Sequence, residues 1–153
     1  MRAVTRLFGE IDIEENKIIT LDKGMIGLSD YRKFALIFDE EKGMKESSVM
    51  WFQSMDDPET AFPVMQPNTV KLDYNPTVSE EQLSSLGNLN DENLYVLVTL
   101  TASANIEDTT VNLKAPIVIN TETKKGCQII IEDDYPIKYK IYDAVKGKKK
   151  AGE

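Results

Sequence analysis

The sequence predicts a mainly β chain, folded as a small antiparallel β-barrel-like domain with one or two short helices. Three observations predict it. About ten short apolar or alternating runs are separated by turn-forming clusters, the spacing of a barrel or a sandwich. Only one segment carries a convincing helix signal. No strand–helix alternation and no repeat of about 30 residues marks an α/β or solenoid fold.

The elements follow in order. Residues 8–13 place Phe8, Ile11 and Ile13 in an alternating pattern, with Gly9 as a candidate bulge. Residues 14–17 predict a hairpin turn into a strand over 18–21. Gly24 and Gly27 bracket a loop, and residues 29–33 predict a short helical turn capped by Ser29. The run 34–38 is continuously apolar, as in a strand covered on both faces. A polar loop over 39–48 leads to a strand at 49–55 and an acidic turn at 56–59. Residues 61–65 predict a strand in which Pro63 argues for an edge or a bulge. Residues 70–74 predict another short strand.

The helix is predicted after Ser79. Ser79 and Gln82 have capping-box spacing, Glu80 and Glu81 favour the positive end of the helix dipole, Leu83 and Leu86 share a face, and Gly87 can end the element. Residues 94–101 form the strongest β-run. Further strands are predicted at 111–113, 116–120, 128–131 and 139–142. The chain thus reads as one domain over residues 1–145, followed by a basic tail at 146–153 expected to be disordered.

Composition narrows the function. The net charge is −8, and residues 138–153 hold six of the 18 basic residues but only two of the 26 acidic ones. The body is therefore more acidic than the whole, which repels phosphate backbones and attracts basic protein surfaces, or serves solubility alone. There is no histidine, so Ser–His and Cys–His nucleophile pairs are excluded and the commonest metal ligand is missing. Carboxylate clusters at residues 56–57 and 132–134 read as solvated turns, without the loop a calcium site needs. Gly24 and Gly27 lack the rest of a phosphate loop. No catalytic residue, cofactor or metal is expected. Cys127, the single cysteine, reads as a small apolar filler and fits a reducing compartment. With no apolar signal region behind the N-terminal charges and no run of about 20 apolar residues, a cytoplasmic location is expected, without membrane contact.

Several segments together resemble the flagellar assembly factor (FliW) family. They are Thr5-Arg6-Leu7-Phe8-Gly9-Glu10-Ile11, Gly24-Met25-Ile26-Gly27-Leu28, Trp51-Phe52-Gln53-Ser54-Met55-Asp56-Asp57 with Ala61-Phe62-Pro63-Val64, and Thr110 to Asn120 with its Asn-Leu-Lys-Ala-Pro-Ile-Val-Ile-Asn core. They occur in the family's order across roughly residues 5–142. One departure stands out: Leu21, Asp22, Ile26 and Leu28 occupy places where the family's loop carries phenylalanine and proline.

The resemblance implies a compact β-barrel-like fold and two protein partners. One is flagellin, held before export. The other is CsrA, a dimeric RNA-binding repressor of flagellin translation, whose repression the family relieves without competing for the RNA site. An acidic partner would be steered toward the basic surface that CsrA presents to RNA. Flagellin could engage an apolar patch or a strand edge, with Pro63 as a marker of such an edge. Polar residues expected to be exposed on or near the matching blocks are the partner-binding candidates: Gln53, Asp56, Asp57, Glu59, Glu107, Asp108 and Lys114. Asn112 and Asn120 are read as strand-end turn residues in preference to contacts. The alternative class is a small β-barrel module binding oligosaccharide or oligonucleotide; the acidic body and the lack of basic residues beside Trp51 and Phe52 both count against the nucleic-acid version.

Overall fold

A computed structural model of the chain describes residues 1–38 and 49–143. The expected loop at 39–48, the basic tail at 146–153 and the domain boundary at 145 lie outside the described residues.

The strands are β1 (Arg2–Thr5), β2 (Gly9–Asp12), β3 (Ile19–Leu21), β4 (Lys33–Ile37), β5 (Met50–Ser54), β6 (Ala61–Met65), β7 (Leu94–Thr101), β8 (Thr110–Val111), β9 (Ile117–Asn120), β10 (Lys125–Gln128) and β11 (Tyr139–Lys140). One short α-helix, α1 (Glu80–Leu83), lies between β6 and β7. The sheet runs β7-β6-β5-β4-β3-β10-β9 and closes through a β7–β9 pairing, so seven strands form a barrel. Every neighbouring pair is antiparallel except β3 with β10, which are parallel. β8 and β11 extend the sheet beyond the end of β7. Among the described residues, no helix is long and apolar enough to cross a membrane.

Alternation along the strands fills the barrel. Ile19, Leu21, Phe34, Met50, Phe52, Val64, Leu97, Ile117 and Ile119 point inward and are buried together. Phe34 and Phe52 stack with centroids 4.3 Å apart and ring planes within 5°. Burying each such ring is worth roughly 1.5–3 kcal/mol, and an aromatic pair adds about 1 kcal/mol. The outer face is covered in three places. The β1–β2 hairpin lays Ala3, Ile11 and Ile13 over Ile18, Ala35 and Met55. Phe34 on one side and Ala35 on the other are covered, as expected of 34–38, whereas Leu36, Ile37 and Phe38 are only half-buried. Leu83 and Leu86 pack on Val118, Ile129 and Ile131. Val70, Tyr74 and Ile141 pack on Met65, Val98, Val111 and Leu113.

The helix forms where its cap predicts it. The Ser79 hydroxyl accepts from the Gln82 amide, and the Gln82 side chain accepts from the Ser79 amide, a complete capping box. α1 runs on into a 3-10 turn at Ser84–Leu86.

Four expectations are corrected. Residues 14–17 do not turn β2 into a hairpin with β3: the hairpin is β1–β2, closed by Thr5, whose hydroxyl accepts from the Phe8 amide and donates to the Gly9 carbonyl. β3 instead pairs with β4 and β10. Residues 29–33 form no helical turn, because the carboxylate of Asp56 takes the amides of Arg32 and Lys33. Residues 70–74 form no strand. Pro67 starts a 3-10 turn whose carbonyl accepts from Val70 and Lys71, leaving Leu72 83% exposed. β10 begins and ends three residues earlier than the predicted 128–131 run, although Ile129 and Ile131 still donate to Pro116 and Lys114.

Pro63 sits inside the barrel wall, on a strand with neighbours on both sides. Its half of the strand is still one-sided, since β7 pairs only with Val64 and Met65 among the described residues. Ser54 and Thr60 are hydrogen-bonded partners, so alternation puts Pro63, opposite Trp51, at a site where no amide is required toward β5.

Candidate protein-docking surface

Strand direction decides which loops meet. The β3–β4 connection, the β5–β6 turn and the β7–β8 connection all leave the barrel at the same end, because these strands alternate in direction. Six of the seven candidate residues lie on the last two of these segments or at their edge.

The β5–β6 turn is tied from within. Gln53 is fully buried, contrary to the expectation that it is an exposed contact. Its Nε2 donates to the carbonyls of Ser54, Pro58 and Thr60 at 2.8, 3.2 and 3.1 Å, which explains why a strand residue of this polarity is buried. Asp57 Oδ2 accepts from the Tyr31 and Thr60 hydroxyls, each at 2.7 Å, and Oδ1 accepts from the Glu59 amide. The Thr60 and Tyr31 bonds hold this carboxyl below the usual carboxylate range. The same bond to Asp57 holds the Tyr31 phenol above its ordinary value. Asp56 Oδ2 accepts from the Arg32 and Lys33 amides at 2.7 and 2.8 Å. Asp56 and Asp57 thus fasten the β3–β4 connection to the turn. Glu59 is different: its backbone accepts from Arg6 Nε, while its side chain is exposed with no partner among the described residues.

The second acidic segment is a 3-10 turn, Ile106–Asp108, capped by the Asn105 side chain. Asp108 pairs with Lys140 at 3.3 Å on open surface, an arrangement worth at most about 1 kcal/mol. Glu107, Asp108 and Asp143 line a 400 Å³ cleft with Lys140 and Tyr142. Lys114 is half-buried and donates to the Asp133 carbonyl at 2.6 Å. Asp133 is itself held by the amide and hydroxyl of Thr77, which keep its carboxyl low. Of the seven candidates, Glu59 and Glu107 are the exposed carboxylates that make no side-chain hydrogen bond or ion pair among the described residues.

Sequence reasoning passed over the apolar part of this end. Ile26 and Leu28, 48% and 38% exposed, stand on the β3–β4 connection. Their loop is fixed by the Leu28 amide on the Met25 carbonyl and by the Ile26 amide on Gln128 Oε1. Two exposed aliphatic residues next to glycines were the available signal. The arrangement offers an apolar tip on the same barrel end as free carboxylates, the mix of a protein interface. Among the described residues, no group of His, Cys, Asp and Glu is placed to hold a metal ion. Asn112 and Asn120 serve structure: Asn112 Oδ1 takes the amides of Lys114 and Ala115, and buried Asn120 links the β9–β10 turn to the carbonyls of Leu86 and Asn88.

The family model described as FliW protein matches residues 2–141. The flagellar assembly factor FliW of Lachnoclostridium phytofermentans is 41% identical over 156 residues, spanning 100% of this chain and 99% of that protein. That of Lachnospira eligens is 43% identical over 148 residues, spanning 95% and 97%. A crystal structure of the flagellar assembly factor FliW superposes with a TM-score of 0.83 at 26% identity, covering 93% of this chain and 97% of that one.

Proposed function

We propose, from the premise that this chain belongs to the FliW family of flagellar assembly factors, that it serves flagellar assembly by binding proteins and not by catalysis. It holds flagellin before export and binds the repressor CsrA, relieving repression of flagellin translation; both encounters are in the cytoplasm. The observation that carries the reading is likeness along essentially the whole chain to proteins named flagellar assembly factor FliW.

The barrel end with Glu59, Glu107, Ile26 and Leu28 is the docking surface favoured for CsrA, since Glu59 and Glu107 offer carboxylates without a side-chain partner among the described residues and CsrA must carry basic surface. The one-sided stretch at Ala61–Pro63 is the favoured place for flagellin to add an extended segment, with the Ala61 amide and carbonyl and the Pro63 carbonyl facing away from β5. An oligosaccharide or oligonucleotide module finds less support, because Trp51 is half-buried and packed in a T-shaped contact with Phe8, ring centroids 6.3 Å apart.

Calorimetric titration with CsrA and with flagellin, each at two salt concentrations, tests the proposal. Saturable heats with both, weakening with salt for CsrA, are expected. No heat and no co-migration with either protein would remove the proposed partners.

A further inference from the structure

We propose that the opposite mouth of the barrel binds a small apolar monocarboxylate, an alkyl or aryl acid, whose carboxylate is received by Lys17 and Lys124. A cavity of 390 Å³ opens there, within the range of about 300–1,000 Å³ typical of small-molecule sites, and barrel mouths are a common place for them. Its apolar wall is made by Ile19, Leu36, Phe38 and Ile119, which come from three strands and the end of β4.

Among the described residues, two lysines and no acid line the cavity, in a chain where acids outnumber bases 26 to 18. Neither lysine side chain makes an ion pair or hydrogen bond among the described residues. Lys124 carries a second signal. It is the one non-glycine residue at positive φ among the described residues, at +58° in the β9–β10 turn. Its amide is held by the Asn120 carbonyl and its carbonyl by the Thr20 amide, so the unusual backbone is fixed from both sides. Glycine or asparagine would adopt it at lower cost. A lysine in that conformation points to a use for its side chain at the mouth.

The occupant follows from this chemistry. An apolar wall with two ammonium groups beside it suits an apolar body ending in one anionic group. Sugars and nucleotides would need many more donors and acceptors. The overall charge of −8 opposes an anion at long range, but salt screens that field beyond about 8 Å, whereas the lysines act at contact.

The test uses decanoate, with decanol as the uncharged probe of the same chain length. Both are titrated by calorimetry and by amide chemical shifts, on the wild type and on the Lys17→Gln/Lys124→Asn double variant. Asparagine tolerates the backbone at 124, and an unchanged melting temperature is the check that the variant folds. Expected are saturable decanoate binding with shifts confined to the mouth, about tenfold weaker binding of decanol, and a double variant that no longer distinguishes the two. Absence of saturable binding, shifts elsewhere, equal binding of both probes by the wild type, or undiminished decanoate binding by the variant would each overturn the proposal.

Discussion

Gln53 and its neighbours show how one polar side chain can set a turn. Replacing it by alanine removes the donor from three carbonyls and leaves a hole in the barrel wall. The expected loss of stability is about 2–4 kcal/mol, read by denaturant unfolding, with partner binding by the folded fraction intact. A loss under about 0.5 kcal/mol would mean the turn is held by something else. The Tyr31–Asp57 bond predicts sensitivity at both ends of the pH scale. Asp57 is depressed in the folded chain, so its contribution is present above the unfolded value and lost as pH falls through the folded one. Tyr31 is raised, so its contribution is present below the ordinary phenol value and lost as pH rises through the folded one. Melting temperature against pH for the wild type and Tyr31→Phe checks this. The variant should lose its share of the alkaline decline; superimposable alkaline limbs would refute the coupling.

At the scale of elements, two glycines on one loop separate two physical effects. Gly24 and Gly27 both have positive φ, +70° and +82°. A Cβ at Gly27 meets nothing within 4 Å, so Gly27→Ala carries backbone strain alone, about 1 kcal/mol. A Cβ at Gly24 would lie 2.6 Å from the Ser29 carbonyl oxygen, and backbone has to move. Gly24→Ala is therefore expected to cost clearly more in unfolding experiments and to disturb the amide signals of residues 24–31; equal costs would contradict the close approach. The same contrast marks what the sequence could reveal. The capping box around Ser79 is a local signal and the helix formed on it. β7 was legible to its ends because eight residues of β-prone character need no partner to be recognised. β1 was not, since Arg2 to Thr5 is short and partly polar and becomes a strand only by pairing with Glu10 and its neighbours. The parallel β3–β10 contact joins segments about 100 residues apart, which no local pattern encodes. Gln53 was misplaced for a related reason: its partners are the carbonyls of a turn that exists only once β5 and β6 pair.

The two ends of the barrel differ in kind: Glu59, Glu107 and exposed aliphatics at one, an apolar mouth lined by Lys17 and Lys124 at the other. Net charge alone could not have located this division, because Asp56 and Asp57 near the docking end are engaged in holding the turn. That distinction separates two classes of charge reversal. Glu59→Lys combined with Glu107→Lys changes side chains that hold nothing, so stability should stay within about 0.5 kcal/mol of the wild type. Asp57→Lys removes the acceptor for Tyr31, Thr60 and the Glu59 amide and should lower the melting temperature before any question of binding arises. If the acidic end meets CsrA, the Glu59/Glu107 variant should bind it roughly tenfold more weakly at low ionic strength. The gap should shrink in high salt, as screened rim charges require. Since the variant is folded, an unchanged affinity at low salt would remove this end of the barrel as the electrostatic docking surface, whatever the partners prove to be.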